Sequence, residues 1–318
     1  MKKILANDGL SPAGIEKLES AGFTVITNKV EQEQLADHIN ENKIDALLVR
    51  SATKVRQDLI DATEGQLKFI GRGGVGMDNI DVEYARGKGM IVQNTPAAST
   101  RSVAEMVFAH LSGMVRFLHD SNQKMPLEGE TKFKELKKAY GAGLELRGRT
   151  IGIVGFGRIG QEVARIAYGY GMKIVAHDPY IEKVDLELAF ADEQKLTTTI
   201  TTVPMDELLA QAEFITLHVG GAGKAIIGKG EIAKMQPGVG LINTSRGGMI
   251  EEEALLKGIE DGQVAYAALD VYENEPKPKM ALLMNPATSL TPHIGAATVE
   301  AQERIGLEMA DHIIEKLS

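Results

Sequence analysis

Short apolar runs alternate with helix-like stretches along almost the whole chain. In its first third KILAND, FTVITN, IDALLVRS, LKFIGRGG and MIVQNTP read as strands. Between them lie amphipathic segments such as SPAGIEKLESAG, where Ser11 can cap a helix and Pro12 suits its first turn. One long amphipathic stretch runs from Ser99 to about Met125, and the lysine-rich arm after it, TKFKELKKAYGAGLELRG, reads as loop-prone. A second alternating series follows: TIGIVGFG, MKIVAHDP, FITLHV, GVGLINTSRGG, VAYAALDVY and SLTPHIG. VDLELAFADEQKLTTTITTV breaks this rhythm and predicts a short hairpin-like insertion. Strands alternating with helices predict parallel sheets covered on both faces, and two such series predict two α/β lobes. The last helix, Thr298 to Leu317, precedes no further strand, so it has to pack on a lobe already formed and can cross back to the first. A cleft between the lobes would then lie at the strand ends, where α/β proteins bind ligands.

Composition narrows the partners. The chain has 318 residues, 43% hydrophobic and 25% charged, which predicts globular order with ample core. A formal net charge of −9 argues against nucleic acid or an anionic membrane as the main partner. There are no cysteines, which excludes disulfides, zinc–cysteine sites and thiol catalysis, and no metal site is expected. The opening MKKILANDGL has two lysines, but its apolar run ends at Asn7-Asp8, far short of a signal peptide, and no segment approaches membrane-span length. A soluble cytoplasmic protein with a small-molecule partner is expected.

The chemistry concentrates at predicted strand ends. In TIGIVGFGRIG, Gly155 permits a tight turn, Gly157 lets the backbone approach a pyrophosphate, and Gly160 allows close helix–strand contact. The helix N-terminus at Arg158 and Ile159 supplies positive potential for phosphates. Asp178, at the end of the next strand, can accept from the adenosine ribose hydroxyls and would repel a 2′-phosphate, which selects NAD over NADP; otherwise it is only a turn-initiating Asp-Pro pair. Arg246 follows one strand, Glu275 the next and His293 the one after, so the three would converge on the edge that carries the glycine loop. Singly, each has a bland reading as a wet loop residue. In the first lobe, Arg50 and Ser51 end one strand, and Arg72 ends another ahead of Gly73-Gly74-Val75-Gly76, whose backbone N–H groups could form an anion nest. Two arginines beside such a nest suit a phosphate. The lysines of the arm (Lys132, Lys134, Lys137, Lys138) read as a solvated face.

VGFGRIG, NTSRGG, ALDVYENEP and LTPHIGAAT together resemble the D-2-hydroxyacid dehydrogenase family, over essentially the whole chain. LLVRSATKV, GRGGVGMDNID and NTPAAS are similar to the branch that oxidises 3-phosphoglycerate. The resemblance implies two Rossmann-like or flavodoxin-like parallel-sheet domains with an interdomain active-site cleft. Residues 1–97 plus 291–318 would bind substrate and 98–290 would bind NAD. It implies that Arg246, Glu275 and His293 are catalytic. His293 would exchange a proton with the substrate oxygen, Glu275 would hold its second ring nitrogen and fix the tautomer, and Arg246 would orient the substrate carboxylate. Gly155, Gly157, Arg158, Ile159, Gly160, Asp178, His218, Val219, Thr244 and Asp270 would bind the cofactor. Arg50, Ser51, Arg72, Gly73, Gly74, Val75 and Arg246 would bind a phosphorylated 2-hydroxy or 2-keto acid. A homodimer through the NAD domain is expected, with the Ser99 to Gly143 region as an interlocking arm.

The chain departs from the family at one loop. Where the family usually has His-x-Pro, this chain has His218-Val219-Gly220-Gly221-Ala222-Gly223, replacing a rigid start by flexible glycines. The chain stops at Ser318 directly after the last helix, so no feedback by serine through an appended regulatory domain is expected. A hydroxypyruvate or glyoxylate reductase with the same catalytic trio is the near alternative, and an NAD-sensing corepressor-like scaffold is the alternative from another class.

Overall fold

The computed structural model describes residues 1–221 and 223–318; Ala222, part of the glycine-rich departure, lies outside the described residues. The chain forms two compact units, residues 1–102 with 296–318, and residues 103–295.

In the first unit the elements run β1 (Lys3–Ala6), α1 (Pro12–Ser20), β2 (Thr24–Ile26), α2 (Leu35–Asn42), β3 (Ala46–Val49), α3 (Gln57–Ala62), β4 (Phe69–Arg72), α4 (Val82–Gly87) and β5 (Ile91–Asn94). The five strands are parallel in the order β2-β1-β3-β4-β5, the flavodoxin-like winding. Alternate strand residues feed two cores: Leu5, Leu47 and Ile70 on one face, Ile4, Leu48 and Phe69 on the other. Ser11 caps α1 as expected, its hydroxyl oxygen accepting from the Gly14 N–H at 3.3 Å.

The second unit holds most of α5 (Thr100–Val115), then α6 (Leu118–Ala139), β6 (Thr150–Val154), α7 (Arg158–Gly169), β7 (Lys173–His177), β8 (Lys183–Ala189), β9 (Lys195–Thr201), α8 (Met205–Gln211), β10 (Phe214–Leu217), α9 (Lys229–Ile232), β11 (Val239–Asn243), α10 (Glu252–Glu260), β12 (Val264–Leu269), α11 (Met280–Leu283) and β13 (Thr288–Leu290). Six parallel strands take the order β13-β12-β11-β10-β6-β7. Ile151 and Ile153 of β6 face one core and Val154 the other, as a strand buried on both sides requires. The predicted hairpin is β8–β9, antiparallel, with Leu186, Leu188 and Ile200 turned into the core.

The chain closes with α12 (Val299–Leu317), which returns to the first unit. Two glycines let it sit directly on α1. A Cβ on Gly14 would lie 2.7 Å from the Gly306 carbonyl oxygen, and one on Gly306 would overlap the Ser11 hydroxyl.

The amphipathic stretch from Ser99 to Met125 is divided between α5 and α6, because the backbone turns left-handed at Phe117 (φ +54°). One expectation needs correction. The arm expected to be a loop is helical as far as Ala139, apart from a break at Lys132 (φ −120°, ψ 22°). Its Lys, Glu, Leu and Ala residues are good helix formers. The unit boundaries fall at 102/103 and 295/296, where 97/98 and 290/291 were expected. Residues 98–102 stay with the first unit because Arg304 donates to the Ala98 carbonyl and the Ser102 and Thr298 hydroxyls are bonded. Residues 291–295 stay with the second because Asp270 binds them.

Candidate active site

At the end of β6 the glycine loop is closely packed at two of its glycines and open at the third. Gly155 is left-handed (φ +91°), and a side chain there would overlap the His218 carbonyl oxygen. A Cβ on Gly160 would overlap the Gly155 carbonyl oxygen, so the first turn of α7 lies against the loop. Nothing lies within 4 Å of the position a Gly157 Cβ would take, so the N-terminus of α7 is open to an approaching group. Arg158 is exposed and Ile159 half-buried at that helix start. The Asp178 carboxylate is built into this loop: one oxygen accepts from the Phe156 N–H at 2.8 Å, the other from the N–H groups of Tyr180 and Ile181 at 2.9 and 3.1 Å. The carboxylate thus shapes the turn after β7 and ties the glycine loop to it.

Two neighbouring strand ends carry unanswered polar atoms. His218 follows β10, and its Nε2 lies 3.0 Å from the Thr216 hydroxyl. Burial holds the ring pKa down to about 3, so it is neutral. Its Nδ1 and the hydroxyl of Thr244, just after β11, are buried with no partner among the described residues. A group bound beside the open glycine loop would satisfy both, so the residues fit a dinucleotide. Val219, half-buried beside Gly155, belongs to the same edge.

Arg246 sits on a loop shaped by its own sequence. The Asn243 side chain donates to the Arg246 carbonyl at 2.8 Å and accepts from the Ser245 N–H at 3.0 Å and hydroxyl at 2.8 Å. The guanidinium donates to the Ser245 carbonyl at 2.6 Å. At the next position only glycine fits, because a Cβ on Gly247 would overlap the Tyr272 carbonyl oxygen. Tyr272 in turn gives its N–H to Glu275 Oε1 at 3.0 Å, and Glu275 Oε2 lies 2.8 Å from His293 Nδ1. A carboxylate only accepts, so Nδ1 carries the hydrogen and Nε2 is left able to accept one. His293 is itself left-handed (φ +56°), a conformation a residue with a side chain adopts only where its surroundings dictate it. Glu275 and His293 line a cavity of about 360 Å³ together with Tyr272, Leu290 and Thr291. Asp270, expected to touch the cofactor, is 1% exposed, and both its oxygens are taken up by the turn at 291–295.

The first unit gathers its candidates less completely. Arg50 and Gly73 line a cavity of about 220 Å³ with Asp8, Ser11, Gln302 and Ile305. Among the described residues Arg50 is held through its backbone, its N–H given to Asp8 at 2.7 Å and its carbonyl accepting from Asn79 at 2.8 Å. Ser51 is exposed. The expected nest is smaller than four residues. The Gly73 N–H already bonds the Val49 carbonyl at 2.9 Å, and the Gly74 N–H bonds the Thr95 hydroxyl at 2.7 Å. Arg72 folds back to donate to the Gly73 carbonyl at 3.1 Å. That leaves the N–H groups of Val75 and Gly76 as the part of the expected nest that these bonds do not use.

Comparison with known proteins supplies the family. The profile of the D-isomer specific 2-hydroxyacid dehydrogenase NAD-binding domain matches residues 108–295, more than half of the chain. The chain belongs to this family. It is 40% identical to a hydroxypyruvate reductase of Thermotoga maritima, over 95% of this chain and 96% of that protein. It is 41% identical to a D-3-phosphoglycerate dehydrogenase of Methanocaldococcus jannaschii, over 98% of this chain but 57% of that protein. The chain thus spans little more than half the length of that phosphoglycerate dehydrogenase. A glyoxylate reductase structure from Paecilomyes thermophila superposes with a TM-score of 0.81 at 31% identity, covering 99% of this chain and 96% of that one.

As a 2-hydroxyacid dehydrogenase, the chain belongs to a family of NAD-dependent oxidoreductases, and the residues that match the family's NAD-binding domain, 108–295, lie within the second unit. Among the described residues no cluster of three or more His, Asp and Glu side chains could hold a metal ion, and no helix is long and apolar enough to cross a membrane. Sequence reasoning passed over Asn243, Gly247 and Tyr272, which build the Arg246 and Glu275 loops, and Asp8 and Asn79, which clamp Arg50. The second glycine-adjacent position in NTSRGG was a usable signal. Asn79, whose side chain reaches Arg50 from far along the chain, leaves none.

Proposed function

We propose that the chain is an NAD-dependent D-3-phosphoglycerate dehydrogenase, forming 3-phosphohydroxypyruvate from 3-phosphoglycerate. The observation that carries the chemistry is the 2.8 Å bond between Glu275 Oε2 and His293 Nδ1. When bound, NAD supplies the hydride acceptor at the substrate's second carbon. In oxidation His293 Nε2 takes the hydroxyl proton, and in reduction it returns one to the keto oxygen. Glu275 holds the ring in the tautomer that leaves Nε2 available and stabilises the imidazolium once the proton arrives. Arg246 grips the substrate carboxylate and draws charge from the neighbouring oxygen. Gly155, Gly157 and Gly160 shape the pyrophosphate site, Thr244 and the Nδ1 of His218 answer cofactor atoms, and the negative charge of Asp178 favours NAD over NADP.

The choice of phosphoglycerate rests on Arg50, a cavity-lining arginine whose hydrogen bonds among the described residues are made by its backbone. Arg72 and the N–H groups of Val75 and Gly76 supply further positive potential. A second reading, a hydroxypyruvate or glyoxylate reductase, is favoured by the hydroxypyruvate reductase matched along nearly all of both chains. On the leading reading the enzyme works in the cytoplasm, in serine synthesis, and as a homodimer; the exposed Leu118, Leu127 and Phe133 of α6 support association through the NAD-binding unit. Following NADH oxidation with 3-phosphohydroxypyruvate, hydroxypyruvate and glyoxylate side by side tests the choice. A clear preference for the phosphorylated acid supports it. Equal or better use of the small acids leaves the chemistry and removes the phosphate site. No turnover by NADH-bound protein removes both.

A further inference from the structure

His110 of α5 is a histidine that the chemistry above does not use. It is 4% exposed, with Nδ1 2.8 Å from the Ser289 hydroxyl and Nε2 3.0 Å from the Thr291 hydroxyl. The Thr291 hydrogen is already committed, because its Oγ1 lies 2.6 Å from Asp270 Oδ1, which can only accept. Toward His110 the Thr291 oxygen is therefore an acceptor, and the ring hydrogen sits on Nε2. Burial lowers the His110 pKa, against the opposing charge of Asp270, so the ring is neutral and its Nδ1 is a lone pair that the Ser289 hydroxyl fills. Every hydrogen in the chain Ser289–His110–Thr291–Asp270 thus points the same way.

The chain ends at the turn that presents His293. Asp270 Oδ1 also accepts from the Ile294 N–H at 2.8 Å, and Oδ2 accepts from the Gly295 N–H at 2.8 Å. A Cβ on Gly295 would lie 2.9 Å from Asp270 Oδ2, so the turn and the carboxylate leave each other no play. His293 stands immediately before these two N–H groups in its left-handed conformation. With Oδ1 shared between a hydroxyl and an N–H, the orientation of the carboxylate depends on Thr291, and that of Thr291 on His110.

We propose that His110 is a positioning residue for the proton transfer: through Thr291 and Asp270 it sets the backbone turn that aims His293. This rests on the reading of His293 as the group that moves the proton. His110 does not touch the His293 ring in this chain of bonds, and its effect passes through the turn alone.

The test compares His110→Phe, His110→Gln, Thr291→Val and the double variant H110F/T291V with the parent and with His293→Ala. Active sites are counted by NADH binding, and kcat and KM are measured with 3-phosphohydroxypyruvate and hydroxypyruvate. H110F and T291V should each lower kcat per NADH-binding site by about tenfold, as expected for a misaimed group, with the NADH Kd within about twofold of the parent. H110Q should recover most of the loss, because its amide N–H can replace Nε2–H toward Thr291. The double variant should be no slower than the slower single one, since both cut the same chain. Unchanged kcat in H110F, additive losses in the double variant, or no rescue by H110Q would overturn the proposal. Should H110F fail to fold, H110Q and T291V decide: T291V at parental kcat per site also overturns it. If H293A abolishes turnover while these variants leave it intact, only the His110 role falls. If H293A turns over like the parent, the reading of His293 falls and takes the His110 role with it.

Discussion

Gly247 and Tyr272 meet backbone to backbone, so closely that any side chain on Gly247 would overlap the Tyr272 carbonyl oxygen. The contact ties two loops that the chain order keeps apart. One carries Arg246; the other runs from Tyr272 to Glu275, whose carboxylate reaches His293. Gly247→Ala should therefore push the loops apart and spoil the carboxylate grip and the His293 tautomer together. A displacement on the order of 1 Å costs roughly 10²-fold in kcat/KM. Steady-state kinetics beside a thermal melt check this, and a variant with parental kcat/KM would show that the loops are positioned independently.

Glu275→Gln tests the tautomer. With its amide oxygen still accepting from the Tyr272 N–H, the glutamine turns its NH₂ toward His293 Nδ1. Nδ1 must then accept, the ring hydrogen moves to Nε2, and Nε2 no longer takes a proton from a hydroxyl. Oxidation of the hydroxy acid should slow by about 10²- to 10⁴-fold, the range set by loss of a general base or of its correct tautomer. NADH binding, titrated by fluorescence, should stay near parental. Oxidation at an undiminished rate would mean the 2.8 Å bond has no part in the chemistry.

Two buried histidines predict how acid unfolds the protein. Burial lowers the pKa of His110, and that of His218 falls from 6.5 to about 3. Unfolded, both rings take a proton near 6.5, which the folded state refuses. Their stabilising effect is therefore whole above pH 6.5 and is lost as pH falls below it, for His218 as far as about 3. For His218 the loss across that window is on the order of a few kcal/mol. Melting temperatures of the NAD-free protein from neutral pH downward should drop less steeply in His218→Gln than in the parent. Parallel slopes would show that His218 titrates alike in both states.

Much of this site is legible in the sequence because its parts are local. TIGIVGFGRIG forms the turn, the opening and the helix contact within one strand–loop–helix unit, and NTSRGG contains the asparagine that folds its own arginine loop. What escapes is decided by residues distant along the chain. The Gly73-Gly74 N–H groups look available until Val49 and Thr95 arrive from neighbouring strands. Asp270 has the sequence position of a cofactor ligand, yet its oxygens are consumed by residues more than twenty positions later. His110 lies in an apolar helical stretch, where a histidine reads as mere core until Ser289 and Thr291 appear beside its ring. The lysine arm misled although its signal is local: its Lys, Glu, Leu and Ala residues favour the helix it forms as far as Ala139 beyond the break at Lys132.

On the proposed phosphoglycerate reading, substrate choice turns on the difference between two arginines. Arg72 spends one guanidinium nitrogen on the Gly73 carbonyl, whereas the hydrogen bonds of Arg50 among the described residues come from its backbone, which Asp8 and Asn79 anchor. Arg50 is thus the better placed to answer a phosphate. Losing a hydrogen bond to a charged group costs about 1.5–3 kcal/mol, or roughly 10- to 150-fold. Arg50→Ala should lower kcat/KM for 3-phosphohydroxypyruvate by that factor and leave hydroxypyruvate, which has no phosphate, nearly unaffected. Arg72→Ala should move the ratio less. Equal losses on both acids in Arg50→Ala would assign Arg50 to the group the two share, the carboxylate, and would shift the balance toward a reductase of small 2-keto acids.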